Sequence, residues 1–160
     1  MAGATIATLT LGQPLVGAML RTQVSYTDGR GNAESVTTLG SALVSNVNDA
    51  PTGTVSVSGT ATQNQTLTAT NTLADVDGLG SVNYQWQSST DGVTWANITG
   101  ATASTFTLDQ AQVGKQVRAV ASYLDGYGAT ESVNSQSSIS VSAAAVLKIT
   151  SARYVYVRKN

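Results

Sequence analysis

A duplicated stretch of sequence constrains the fold of this chain more than any other feature. Residues 3–36 align without a gap to residues 100–133, an offset of 97, and 18 of the 34 aligned positions are identical. The identities include Arg21 with Arg118 and several matching Tyr, Asp and Gly positions, which chance similarity between Thr- and Ser-rich segments would not give. A fixed period of this length indicates tandem modules, each the size of a sandwich domain.

The offset also predicts how the chain is divided. Residues 3–46 are expected to be the C-terminal half of one module, 47–53 a linker, 54–142 a complete module, and 143–160 a tail outside the repeat. A half sandwich leaves an apolar face and strand edges uncovered, so we expect another segment, or self-association, to complete it. The tail has three interpretations: a strand that packs on the half module, a natural C-terminus, or vector or frameshift sequence.

Short alternating segments bounded by Gly, Asn, Asp and Ser predict an all-β antiparallel sandwich. One strand is expected to bury Val117, Ala119, Ala121 and Tyr123, because alternate residues of a strand point to the same face. Trp86 lies in the middle of another such segment and is predicted to be in the core.

Composition excludes several classes of function. Charged residues are only 11% of the chain, the net charge is −1, and no Lys/Arg cluster precedes the last residues, so nucleic acid is not an expected partner. The chain has no Cys and no His, and therefore no thiolate nucleophile, no common general base and no usual zinc or copper ligand. An enzyme is not expected, and a bound metal would be a hard cation such as Ca²⁺. No apolar run approaches 18 residues, so membrane insertion is not expected either.

Several sequence motifs resemble one family of modules. The segments 84–95 (YQWQSSTDGVTW), 98–102 (ITGAT), 113–118 (VGKQVR) and 123–126 (YLDG) look like the immunoglobulin-like repeats of very large bacterial surface adhesins and repeats-in-toxin-type secreted proteins. The segment 46–53 (NVNDAPTG) resembles the cadherin-like linkers between such repeats.

This resemblance implies both a fold and a function. The fold would be an immunoglobulin-like antiparallel β-sandwich repeat, present as one complete module plus a C-terminal half module. The function would be that of a non-enzymatic spacer in a secreted adhesin at the bacterial cell surface, with neighbouring repeats of the same chain as partners. Such spacers are sometimes stiffened by calcium at the junctions between repeats.

The best candidate for a calcium site is the turn Ala74-Asp75-Val76-Asp77-Gly78. Two carboxylates before a Gly turn supply the oxygen ligands that calcium prefers, with help expected from Asn48 and Asp49 of the linker or from Asp125. The alternative is structural, because Asp-Gly pairs are common turn residues in their own right.

A second candidate function is carbohydrate or ice binding. Sugar faces stack on exposed aromatic rings, and Trp95 and Tyr127 are the candidates for such contacts. The segment around Asp91 and Gly92 is expected to close a β-hairpin that carries Trp86 and Trp95, which is a structural role.

Overall fold

The computed structural model describes residues 7–138 and 140–146, and this part of the chain is all-β. Its only helical segments are two single 3-10 turns, Gln13–Leu15 and Gln110–Gln112. Residues 147–160 of the predicted tail lie outside the described residues. The nine strands are β1 (Gln23–Thr27), β2 (Ala33–Thr37), β3 (Val55–Ser58), β4 (Thr66–Asn71), β5 (Asn83–Ser89), β6 (Ala96–Asn97), β7 (Thr105–Thr107), β8 (Gln116–Leu124) and β9 (Thr130–Asn134).

The chain forms two compact units, and both are discontinuous in sequence. Of the described residues, the first unit contains 7–52 together with Leu73–Ser81 and Tyr123–Glu131. The second contains Gly53–Thr72, Val82–Ser122 and the described residues from Ser132 onwards. The three boundaries between the predicted segments stay a prediction, because this division follows spatial proximity.

Two antiparallel sheets make up the sandwich, as the alternating sequence predicts. One has the strand order β3-β4-β7 and the other β6-β5-β8-β9. In the second sheet Trp86 of β5 lies opposite Ala119 of β8. The small side chain of Ala119 leaves room for the large indole of Trp86.

The core of the sandwich lies where the sequence places it. Trp86 is fully buried, and its indole N–H donates a hydrogen bond to the Ala103 carbonyl at 2.9 Å. Its ring contacts Phe106 of the other sheet, with 5.6 Å between ring centroids. The predicted inner face of β8 is confirmed, because Val117, Ala119, Ala121 and Tyr123 are all buried while the intervening residues are partly exposed.

Parallel pairing joins the two ends of the sandwich module. Thr62 and Ser142 form an isolated parallel bridge. Gln63 N–H donates to the Ser142 carbonyl at 2.8 Å, and Ser142 N–H donates to the Ala61 carbonyl at 3.0 Å. The hydroxyls of Thr62 and Ser142 are 2.9 Å apart. A segment near the start of the module therefore runs alongside, and in the same direction as, a segment near its end.

The N-terminal part of the first unit is far more open than the sandwich. Strands β1 and β2 form a two-stranded antiparallel sheet in which every residue is exposed. Leu15, in the 3-10 turn, is the one buried hydrophobic residue between residues 7 and 52. A two-stranded sheet without a packed face is marginally stable in water.

Backbone hydrogen bonds recur at a spacing of 97 residues. Gly17 N–H donates to the Val44 carbonyl at 2.8 Å, and Gly114 N–H donates to the Val141 carbonyl at 2.9 Å. Both glycines have positive φ, 76° and 81°, which only glycine adopts without strain. The same correspondence holds for Ser41–Leu20 with Ser138–Val117 and for Thr38–Thr22 with Ser135–Ala119.

Candidate functional site

The Asp75 turn is built around a short acidic sequence. The Asp75 carboxylate accepts a hydrogen bond from the backbone N–H of Asp77 at 2.8 Å, which closes the turn on itself. Gly78 follows with φ 103° and donates its N–H to the Asp75 carbonyl at 3.2 Å. This part of the structure agrees with the turn interpretation of the motif, since Asp accepts local N–H bonds and Gly supplies the positive φ.

Asp77 is a buried carboxylate with a donor on each oxygen. It is 4% exposed. Oδ1 accepts from the Gln13 side-chain amide at 2.7 Å, and Oδ2 accepts from the Asp49 backbone N–H at 2.6 Å. Asp49 was predicted beside Asp77, but it contributes its backbone N–H to the contact. Gln13 was not predicted, because nothing in the sequence relates two residues 64 positions apart.

Glycine is required where the 73–81 and 123–131 segments touch. Gly126 N–H donates to the Asp77 carbonyl at 3.0 Å, and a Cβ added at Gly126 would lie 2.5 Å from that oxygen. At Gly80 an added Cβ would collide with the Leu124 carbonyl. Both segments therefore approach each other backbone to backbone, which fixes Asp77 and Asp125 within one compact unit.

Asp125 is a turn residue with one buried carboxylate oxygen that has no partner in the described part of the chain. Its Oδ1 accepts from the N–H groups of Tyr127 and Ala129 at 2.9 and 2.8 Å, as an acidic turn residue does. Its Oδ2 is buried and has no hydrogen-bond partner among the described residues. A buried acceptor without a partner is unusual in a folded protein.

Tyr123 and Glu131 belong to the same region, although the sequence did not assign them to the site. The Tyr123 hydroxyl donates to Asp75 Oδ2 at 2.6 Å. Burial raises the pKa of Tyr123 well above its ordinary value, and the hydrogen bond to Asp75 raises it further. Asn48, a predicted ligand, instead donates its side-chain amide to Glu131 Oε1 at 2.7 Å. The alternation of residues along the strand predicts that Tyr123 is buried, but it does not predict which group accepts the hydrogen bond of its hydroxyl.

These contacts decide how well a calcium ion fits. Calcium takes six to eight oxygen ligands. Both oxygens of Asp75 and both of Asp77 already accept hydrogen bonds, whereas the buried Asp125 Oδ2 accepts none from the described residues. The described residues hold no group of three or more acidic side chains with metal-site spacing. The carboxylates of Asp75 and Asp77 could therefore bind an ion only by giving up these hydrogen bonds, and calcium binding stays a prediction for experiment.

The two aromatic candidates lie in different compact units. Trp95 is half-buried, and the Arg118 guanidinium lies 4.3 Å from its ring centroid. Arg118 is held there by a 2.8 Å hydrogen bond from Nε to Gln87 Oε1, and burial lowers the pKa of Arg118. One face of the Trp95 ring is thus occupied by a cation. Tyr127 is exposed, but it lies in the turn closed by Asp125.

Asp91 closes the hairpin between β5 and β6, as predicted. Its carboxylate accepts from the N–H groups of Val93 and Thr94 at 2.8 and 2.7 Å and from the Ser89 hydroxyl at 2.8 Å. The hydrogen bonds from Thr94 and Val93, and then the one from Ser89, hold the pKa of Asp91 far below its usual range. A carboxylate held ionised in this way is a poor general acid or base near neutral pH.

Comparison with known protein families gives one match. Residues 53–144 match the model of a family described as a domain of unknown function, DUF8696. The chain belongs to this family. The DUF8696 match begins and ends within two residues of the predicted complete module, 54–142. It includes Asp75, Asp77, Asp125, Trp95 and Tyr127, whereas Gln13, Asn48 and Asp49 lie before it. No curated protein matches the chain. Among the described residues, no helix is both long and apolar enough to span a bilayer.

Proposed function

We propose that this chain is a structural spacer of a secreted bacterial surface adhesin, and that its function is to carry load between the domains on either side. The observation that carries this proposal is the parallel pairing of residues 61–63 with residue 142. It connects a point near the start of the module directly to a point near its end.

Parallel pairing determines how a pulling force acts. When the two ends of the module are pulled apart, paired parallel segments are drawn in opposite directions along their own axes. The hydrogen bonds between them then resist in shear, and they must break together. Antiparallel hairpins pulled from their open end lose their bonds one at a time. The bonds of Ala61, Gln63 and Ser142 therefore load together in a stretched module.

Repetition and composition support the same proposal. Turn and strand hydrogen bonds recur 97 residues apart, which is the pattern expected when modules are placed in series. A surface built mainly from Thr, Ser, Asn, Gln and Gly, with 11% charged residues, is typical of secreted β-proteins and supports a location outside the cell. Neighbouring repeats of the same chain are then the natural partners.

We propose calcium binding only as an addition to the spacer function, in which the ion would stiffen the region around Asp75. Asp125 Oδ2 offers one free oxygen, but Asp75 and Asp77 would have to exchange N–H and O–H donors for the ion. The spacer proposal does not depend on that exchange, because the protein's own hydrogen bonds already close this region.

Carbohydrate binding has weaker support as an alternative. A sugar needs an open aromatic face, and one face of Trp95 is covered by Arg118. A glycan array with a reproducible hit that is lost in Trp95→Ala would favour this alternative over the spacer.

Single-molecule stretching of the whole chain tests the proposal. The family match covers 92 residues (144 − 53 + 1). Its unfolding should lengthen the chain by about 300 Å, at roughly 3.3 to 3.6 Å per extended residue less the folded span. We expect this step to occur as one cooperative event. Stepwise lengthening at low force, as in hairpin unzipping, would contradict the load-bearing proposal.

Two substitutions at one position provide a matched control. Ser142→Pro removes the N–H that donates to the Ala61 carbonyl, so the unfolding force should fall. Ser142→Ala keeps both backbone bonds and removes only the hydroxyl contacts, so it should leave most of the force intact. Equal forces for Ser142→Pro and the unaltered chain would show that the parallel pair carries no load.

A further inference from the structure

An apolar cavity opens in the N-terminal part of the first unit. Its volume is about 710 Å³, and its lining includes Leu11, Val16, Leu20, Leu43 and Val44. Leu11 and Leu43 are more than half exposed. Apolar side chains gathered around an open cavity are normally covered by another part of a protein.

The other copy of the repeat shows that several exposed apolar positions of this half module, Leu11 of the cavity among them, belong in a core. At an offset of 97, three inner-face positions are exposed in the first copy and buried in the second. The pairs are Leu11 (53% exposed) with Leu108 (0%), Val24 (56%) with Ala121 (0%), and Tyr26 (54%) with Tyr123 (3%). The residues are identical or apolar in both copies, so the difference lies in what covers them.

The covering segment in the complete module can be named. Ala121 and Ala119 of β8 pair with Tyr84 and Trp86 of β5. On the other sheet, Leu108 N–H donates to the Gln65 carbonyl at 2.9 Å. All of these partners lie within residues 54–99, the front half of the module. In the described part of the chain, β1 pairs only with β2, so its other edge has no strand beside it.

We propose that the N-terminal half module is an acceptor for the front half of another repeat, a segment with the pattern of residues 54–99. The docked segment adds a strand to the free edge of β1 and places the equivalent of Trp86 opposite Thr22, the counterpart of Ala119, with Leu20 and Val24 on either side. The interface continues one that this chain already contains, between residues 54–99 and residues 105–142. This inference needs only the repeat, and it does not need the spacer function.

Each chain has only one front half, residues 54–99. The segment that covers the N-terminal half module is therefore expected to be neither this chain's own front half nor that of a second copy. Residues 54–99 already cover residues 105–142, as the pairing of β5 with β8 shows. A second copy that donated its residues 54–99 would uncover its own β8 and expose Val117, Ala119 and Ala121. Exchange between two identical chains therefore gains nothing in buried face, which favours a further repeat as the source of the segment.

An arginine side chain at the edge of the half module would also find a partner in this docked segment. In the complete module Arg118 Nε donates to Gln87 Oε1 of β5 at 2.8 Å. Arg21 stands at the equivalent position and is exposed. A docked segment with a Gln at the position of Gln87 would give Arg21 the same partner.

The test is an extended chain with an additional copy of residues 53–99 joined directly before Gly3. The added Thr99 then precedes Gly3 as Thr99 precedes Gly100 in the complete module. Hydrogen exchange of the β1 amides is measured in the original and extended chains. We expect exchange at Gln23 and Ser25 to slow by about two orders of magnitude, because their amides face the free edge of β1, whereas even-numbered residues such as Thr22 already face β2.

Two exposed positions on opposite faces of β1 provide the controls. Val24→Lys places a charge on the inner face and should abolish the added protection, whereas Ser25→Lys lies on the outer face and should keep it. Unchanged β1 exchange in the extended chain would overturn the proposal, and so would equal protection by a scrambled copy of residues 53–99. Concentration-dependent dimerisation of the original chain with protected β1 amides would also overturn it, because a second copy would then be the occupant.

Discussion

Replacing Asp77 by Ala tests whether the acidic turn is held by the protein's own hydrogen bonds. Asp77 is buried, and its carboxylate accepts from Gln13 and from the Asp49 N–H at 2.7 and 2.6 Å. A hydrogen bond to a charged group contributes about 1.5–3 kcal/mol, so losing two would cost about 3–6 kcal/mol. Removing a buried charge offsets part of this cost, which leaves about 3 kcal/mol.

Hydrogen exchange of the Asp49 amide measures this loss locally. A cost of about 3 kcal/mol corresponds to roughly a hundredfold faster exchange, since 1.4 kcal/mol is a factor of ten. The experiment is run in EDTA and again with calcium. Asp109→Ala is the matched control, because it removes a carboxylate with local hydrogen bonds in the second unit and should leave the Asp49 amide unchanged.

Two results would refute this reasoning. An Asp49 amide that exchanges equally fast in Asp77→Ala and the unaltered chain would show that the carboxylate holds nothing. A calcium-dependent rise in protection that disappears in Asp77→Ala would show instead that Asp77 binds the ion, as the sequence predicts.

Three further predictions concern the buried face and the contact between the loops. Burial raises the pKa of Tyr123, so its stabilising effect is complete below the ordinary tyrosine pKa near 10 and is lost as pH rises above it. Tyr123→Phe should flatten this alkaline loss in urea unfolding. Gly126→Ala should destabilise by about 1–3 kcal/mol through collision with the Asp77 carbonyl. Gly29→Ala, at the equivalent open position, should be neutral by the same assay. Trp86→Ala should cost about 3–5 kcal/mol in urea unfolding, and a cost below 1 kcal/mol would contradict its place in the core.

Local periodicity was enough to predict the sandwich core. Alternation over residues 117–123 gave the buried face, and the position of Trp86 within its strand gave the central aromatic residue. Both depend on interactions that every strand of a two-layer sheet must make. The 3-10 turn before β8 and its closing Gly114 also follow from short-range chemistry.

The candidate site could be predicted only in part. Asp75 and Asp77 lie in one turn, so the sequence places them together. Their partners come from elsewhere: Gln13 is 64 residues from Asp77, and Tyr123 is 48 residues from Asp75. A single sequence contains no signal for such pairs, because side-chain contacts at that separation are set by how the segments pack.

Asp28 and Asp125 have the same local sequence and form the same turn, but they differ in burial. Both open a turn with Gly next and Gly three positions on, and both accept two backbone N–H bonds on Oδ1. Backbone and side-chain hydrogen bonds from Asn32 and the N–H of Arg30 lower the pKa of Asp28, which is only partly buried. Asp125 is 7% exposed, and its Oδ2 is left without a partner. The turn is a property of the repeated sequence, whereas the burial comes from the segments around it, so covering the first copy should bring Asp28 towards the state of Asp125.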